Sequence, residues 1–126
     1  MSHRPARIHI VDDDPSVARA LKRLLSSWGM QARTFTSGKA FLADLSASQE
    51  IDCAVIDIRM PEMNGFELRA HMKHAGWHIP IIFITANEAL EIEAEALQGG
   101  AVGFLRKPFS DQALVVLIRR TLGRTP

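Results

Sequence analysis

The chain has 126 residues, 47% of them hydrophobic and 23% charged, which is enough for one domain with its own core. A formal net charge of +1 argues against a general nucleic-acid surface, and a single cysteine, Cys53, excludes an internal disulfide and suits a reducing compartment. The apolar runs are too short to span a membrane and the start Met1-Ser2-His3-Arg4-Pro5 lacks a signal-peptide core, so a soluble cytoplasmic domain is expected.

Strand-type and helix-type runs alternate along the whole chain. Ile8-His9-Ile10-Val11 is a strand that runs out in Asp12-Asp13-Asp14. Asp14 reads as an N-cap and Pro15 as the first helical position, followed by Val17, Leu21, Leu24, Leu25 and Trp28 at helical spacing and a closing Gly29. Met30 to Phe35 is a weaker strand, and Ser37 caps a helix carrying Phe41, Leu42 and Leu45. Ile51 to Asp57 is the third strand, and Asn64-Gly65 starts a helix to about His74. Ile79 to Ile84 is the fourth strand, and Glu88 to Gln98 a helix stopped by Gly99-Gly100. Ala101 to Leu105 is the fifth strand, and Ser110 caps a last helix with Leu114, Leu117, Ile118 and Leu122. Five β-α units over residues 1–126 predict one α/β domain, a doubly wound, five-stranded parallel sheet with helices on both faces, flavodoxin-like.

In such a sheet all strand C-termini share one edge, where ligands bind. Asp12, Asp13, Asp57, Thr85 and Lys107 all fall at or just beyond strand ends. Clustered carboxylates stay ionised together only around a cation, and hard oxygens without His or Cys partners suit Mg²⁺. Lys107 can neutralise a developing phosphoryl charge and the Thr85 hydroxyl can bond a phosphoryl oxygen. A carboxylate nucleophile in that company is a phosphoryl acceptor that forms an aspartyl phosphate.

The residues Ile10-Val11-Asp12-Asp13-Asp14, Asp57 to Gly65, Ile84-Thr85-Ala86 and Lys107-Pro108-Phe109, in this order and spacing, resemble the receiver domain of two-component response regulators over nearly the whole chain. The resemblance implies that Asp57 is the phosphoacceptor, with Mg²⁺ held by Asp57, Asp13, the Arg59 backbone carbonyl and, through water, Asp12. It implies a cis bond before Pro108, a switch pair Thr85 and Phe104, and a phosphoryl group whose hydrolysis is tuned by Arg59 and Asn87. Its partners would be a sensor histidine kinase or phosphotransfer protein, without direct nucleic-acid binding. Arg59 resembles a subgroup whose receivers precede a helix-turn-helix output. The 126 residues contain no such segment, which fits equally a stand-alone receiver and the N-terminal part of a larger regulator.

The same residues admit other readings. Asp12-Asp13-Asp14 resembles the first motif of haloacid-dehalogenase-type phosphatases, but the late acidic pair such enzymes need is reduced to Asp111 at a helix start. A degenerate receiver acting only as an interaction module would have lost an acidic residue or the lysine. Phe104 is expected in the core, Cys53 as an inert strand residue, and His71, His74 and His78 as a solvated helix end. Ala113 to Ile118 is apolar around more of its helix than one buried face needs. With Glu91, Glu95, Arg119 and Arg120 nearby, that region is the expected output face, and a homodimer on phosphorylation the expected response.

Overall fold

The structure is a computed structural model that describes residues 4–45, 50–86 and 89–123. Five parallel strands, β1 (Arg7–Val11), β2 (Gln31–Phe35), β3 (Cys53–Asp57), β4 (Ile81–Thr85) and β5 (Gly103–Arg106), lie in the order β2-β1-β3-β4-β5. They alternate with α1 (Pro15–Ser27), α2 (Gly38–Leu45), α3 (Gly65–His74), α4 (Leu90–Gln98) and α5 (Asp111–Thr121). Successive strand side chains point to opposite faces, so each strand feeds two cores. Ile8, Ile10, Cys53, Val55, Ile82 and Ile84 pack with Leu21 and Leu25 of α1 and Leu114 and Ile118 of α5. Val11, Ala54, Ile56, Ile81 and Phe83 pack on the other side with Phe41 of α2, Leu68 and Met72 of α3 and Ala96 of α4. The inner strands β3 and β4 are buried at every position, which explains their unbroken apolar runs. The edge strand β2 is more open, with Gln31 and Arg33 exposed and Ala32 and Phe35 buried on opposite faces of the sheet.

Local chemistry sets the helix starts. Asp14 accepts from the Ser16 and Val17 N–H groups with Pro15 following, and Ser110 accepts from the Ala113 N–H. At α3, the Asn64 side chain accepts from the Glu67 N–H while the Glu67 side chain accepts from the Asn64 N–H. Several boundaries differ from the expectation. β3, β4 and β5 start about two residues later than the apolar runs suggest, and β4 and β5 extend one residue further, to Thr85 and Arg106. Pro80, with no N–H, only accepts, from the Ala54 N–H at 2.9 Å, and stays outside β4. Helix α4 is described from Leu90, and Glu88, where it was expected to start, lies outside the described residues; its N-cap is Ala89, whose side chain cannot cap. No helix among the described residues is long and apolar enough to cross a membrane.

Phe104 corrects a second expectation, since it is half-buried rather than a core residue. It lies on β5, an edge strand in which only Gly103 is buried. Cys53 is fully buried, and burial first, then the charge of Asp52, pushes its thiol up to about 12, so it carries no reactive thiolate. His71, His74 and His78 are exposed.

Candidate functional site

The parallel register brings the strand ends level. Val11 pairs with Ile56, Asp57 with Ile84, and Thr85 with Arg106, so the residues at and just past these ends meet on one edge. Asp12, just beyond β1, is 0% exposed and Asp57, the last residue of β3, is 6% exposed, while Asp13 faces solvent. One carboxylate oxygen from each of Asp12, Asp13 and Asp57 lies within 4.8 Å of the others. Thr85 closes β4 fully buried, and its carbonyl accepts from the Lys107 N–H at 2.7 Å, which ties the lysine backbone to β4. The Lys107–Pro108 bond is cis.

Each buried carboxylate divides its two oxygens between a backbone donor and the lysine. Asp12 Oδ1 accepts from the Asp14 N–H at 2.9 Å, and Asp57 Oδ1 from the Arg59 N–H at 3.0 Å. The Lys107 ammonium donates to Asp12 Oδ2 at 2.9 Å and Asp57 Oδ2 at 3.2 Å. One cation therefore holds two carboxylates whose mutual repulsion would otherwise push them apart. The electrostatics follow. Burial, then the charge of Asp12, raises the proton affinity of Asp57, opposed by Lys107 and the Arg59 N–H. Burial lowers the Lys107 pKa, but hydrogen bonding and charge from Asp12 and Asp57 outweigh it and leave the net shift upward. The ammonium is thus charged at any physiological pH.

The backbone around Asp57 is tightly packed. The Gly65 N–H donates to the Ile58 carbonyl at 2.8 Å, and a Cβ at Gly65 would stand 2.9 Å from both the Asp57 carbonyl oxygen and Ile58 Cα. Only glycine lets α3 begin this close to the strand end. Glu62 in the same loop takes a positive φ of 67°, a conformation rarely adopted by residues with side chains. The donor set for an ion is all hard oxygen, with no histidine or thiol within it, and this fits Mg²⁺.

Of the residues expected in the site, Asp12, Asp13, Asp57 and Lys107 converge, with Thr85 beside them. Arg59 is exposed, with its N–H turned to Asp57. Asn87 lies outside the described residues. Arg106 and Glu93, which no motif marks, pair their side chains at 2.8 Å on the flank of the site. Arg69, equally unmarked, donates to the Ala96 carbonyl at 2.8 Å and stands 5.1 Å from the centroids of both the Phe66 and Phe83 rings. These residues join different elements at irregular separations, so no periodic pattern marks them.

Comparison with known proteins agrees with this geometry. The family model of the response regulator receiver domain matches residues 8–119. The response regulator protein TodT of Pseudomonas putida is 39% identical over 126 residues, covering 100% of this chain and 55% of that protein. The transcriptional regulatory protein FixJ of Azorhizobium caulinodans is 37% identical over 118 residues, covering 94% of this chain and 56% of FixJ. The chain thus spans about half the length of these curated relatives. Among solved structures, a response regulator receiver protein from Burkholderia phymatum superposes with a TM-score of 0.85 at 42% identity, covering 95% of this chain and 97% of that one. FixJ-N superposes with a TM-score of 0.86 at 32% identity, covering 100% and 98%. With its five parallel strands, its acidic edge and these relatives, the chain belongs to the response regulator receiver domain family of two-component systems.

Proposed function

We propose that this receiver is the phosphoacceptor switch of a two-component or phosphorelay pathway, a signalling protein rather than a turnover enzyme, with Asp57 as the acceptor. The observation that carries the reading is the Lys107 ammonium held between Asp12 and Asp57 at the strand edge. A histidine kinase or phosphotransfer protein would supply the donor phosphohistidine. An Asp57 carboxylate oxygen attacks phosphorus, the O–P bond forms as the N–P bond breaks, and the electron pair returns to the imidazole nitrogen. Lys107 already faces Asp57 Oδ2 and is placed to meet the charge of the arriving phosphoryl group. Asp12, Asp13, Asp57 and the Arg59 carbonyl would hold Mg²⁺, which when bound neutralises phosphoryl charge. A cytoplasmic site of action goes with this chemistry.

Thr85 and Phe104 are the proposed switch pair, and the α4-β5-α5 face is the proposed output surface, where a partner or a second copy binds. In support, Leu90, Leu97, Val102 and Val116 on that face are exposed. Arg119, by contrast, already stacks 4.9 Å from the Trp28 ring of its own chain. Arg59, exposed beside the acceptor, is proposed to shield the phosphoryl group from water, a role shared with Asn87. The Arg59→Ala variant should still be phosphorylated but decay at a different rate, and identical decay would remove Arg59 from the mechanism.

Acetyl phosphate or phosphoramidate with Mg²⁺ tests the acceptor directly. The native chain should gain one phosphoryl mass and the Asp57→Asn variant none. Equal labelling of both would move the acceptor elsewhere, and no labelling of either would favour a phosphorylation-independent interaction module.

A further inference from the structure

Arg106 joins three groups that the proposed switch would have to separate. Its Nη1–H donates to Glu93 Oε1 at 2.8 Å and its Nη2–H to the Ala89 carbonyl at 3.3 Å, both on or at the start of α4. Its Cζ stands 5.0 Å from the centroid of the Phe104 ring. Phe104 and Arg106 are two apart on β5 and share a face of the sheet, so the guanidinium covers a ring that the core leaves half-exposed. Arg106 is also the register partner of Thr85. The apolar anchorage of α4 near this end is partial: Ile92 packs against the core while only partly buried, and the helix's one buried residue, Ala96, lies in its last turn.

We propose that Arg106 is a positioning residue, a latch that holds Phe104 outward and α4 against β5, and so biases the receiver toward its resting state. The proposal rests on the phosphoacceptor reading above. An inward swing of Phe104 forfeits the ring's contact with the guanidinium, so the Arg106 contacts belong to the resting state and not to the activated one. When the binding-competent state is only a fraction of the population, apparent affinity falls by that fraction. Removing a contact made only in the resting state therefore tightens the apparent binding of an activating ligand. A partly exposed ion pair and one cation–π contact together correspond to about a fivefold change.

The sign separates the latch from simple electrostatics. Loss of the Arg106 charge close to an anion-binding edge would by Coulomb's law weaken anion binding, whereas loss of the latch strengthens it. Beryllofluoride with Mg²⁺, titrated into the 126-residue chain and followed by amide chemical shifts, reads this affinity. Arg106→Met should bind about fivefold tighter than the native chain, and Glu93→Gln about twofold tighter. The double variant should bind no tighter than Arg106→Met, because both changes open one element. Unchanged or weaker binding by Arg106→Met beside a normally binding native chain would overturn the latch, as would additive effects in the double variant. Failure of the native chain to bind beryllofluoride would instead overturn the phosphoacceptor reading. The ring resonances of Phe104 without any ligand then decide the latch alone. They should move in Arg106→Met toward a core-packed environment, and unmoved resonances would refute it.

Discussion

Replacing Lys107 by methionine keeps the aliphatic stem and removes the cation that bridges Asp12 and Asp57. Taking one partner from a buried ion pair costs about 3–5 kcal/mol in general. Two features of this site place the expected loss below that range. Each carboxylate keeps a backbone donor, Asp14 N–H at 2.9 Å or Arg59 N–H at 3.0 Å, and the lysine side chain is itself 23% exposed. A loss of about 2.5 kcal/mol follows, which for a domain of this size lowers Tm by about 10 °C. The pH dependence carries its own sign. The folded-state pKa of Lys107 is raised, so its contribution is complete below the ordinary lysine value and is lost as pH climbs through the raised one. At the acid end, Asp57 already has a raised proton affinity and takes up a proton more readily once the cation is gone. The deficit of the variant therefore narrows as pH falls into the carboxylate range, and it narrows again when Mg²⁺ supplies another counter-charge. Thermal melts of both proteins in chelator at several pH values, then with Mg²⁺, measure each part. Equal melting temperatures in chelator, or a deficit that ignores pH, would refute the assignment of Lys107 as the counter-charge.

Two further outcomes follow from local geometry. Gly65→Ala drives a Cβ to within 2.9 Å of the Asp57 carbonyl oxygen and Ile58 Cα, and neither backbone atom can yield, so it should cost about 2 kcal/mol in urea denaturation and also slow labelling of Asp57 by acetyl phosphate. Unimpaired labelling would show that α3 can begin elsewhere. His9 on β1 lies between the Phe35 and Phe41 rings, with Asp44 of α2 at 3.9 Å and Arg33 of β2 bonded to the same carboxylate. Burial lowers its folded-state pKa, with Arg33 adding to that and Asp44 partly opposing, so the unfolded chain protonates first as pH falls. Stability should be lost below about pH 6.5, the ordinary histidine value, and His9→Gln should flatten the difference in urea midpoint between pH 7.5 and pH 5.5. Parallel losses in both proteins would clear His9 of that role.

The acidic edge was legible because each of its residues punctuates an apolar run. Val11 to Asp12 and Ile56 to Asp57 are the points where a buried strand ends, and parallel pairing brings such points together wherever they occur in sequence. Phe104 was misplaced because a short apolar run reads the same in an inner strand and in an edge strand. β4 is buried at every residue, while β5, with a neighbour on one side only, leaves Phe104, Leu105 and Arg106 partly open. Arg106 and Glu93, thirteen residues apart and on different elements, obey no helical or strand period, and neither do Arg69 and Ala96. Contacts made by long side chains across elements are fixed by the packed fold, and only after the sheet order is known can they be found.

Those same contacts bear on the proposed response of α4. The apolar seat of this helix is small: Ala96 is buried and Ile92 packs on the core only partly buried, while Leu90 and Leu97 face outward. Polar contacts hold both of its ends. Arg69 of α3 donates to the Ala96 carbonyl, and Lys73 to the Gly99 carbonyl at 2.8 Å, placing two cations at the helix C-terminus where its dipole favours them. The Arg69 guanidinium fits there because residue 99 is glycine; a Cβ would stand 2.2 Å from Nη2. Burial lowers the Arg69 pKa, and the two aromatic faces beneath it fix its place. Arg106 holds the other end through Glu93 and the Ala89 carbonyl. An apolar interface moves only by opening a cavity, whereas a half-exposed ion pair can be exchanged for water at the cost of about 1 kcal/mol or less. The Arg69 end, stacked on two rings and bonded to carbonyls, is the firmer of the two. Motion of α4 is therefore cheapest at the end nearest Thr85 and Phe104, where the proposed phosphoryl signal arrives.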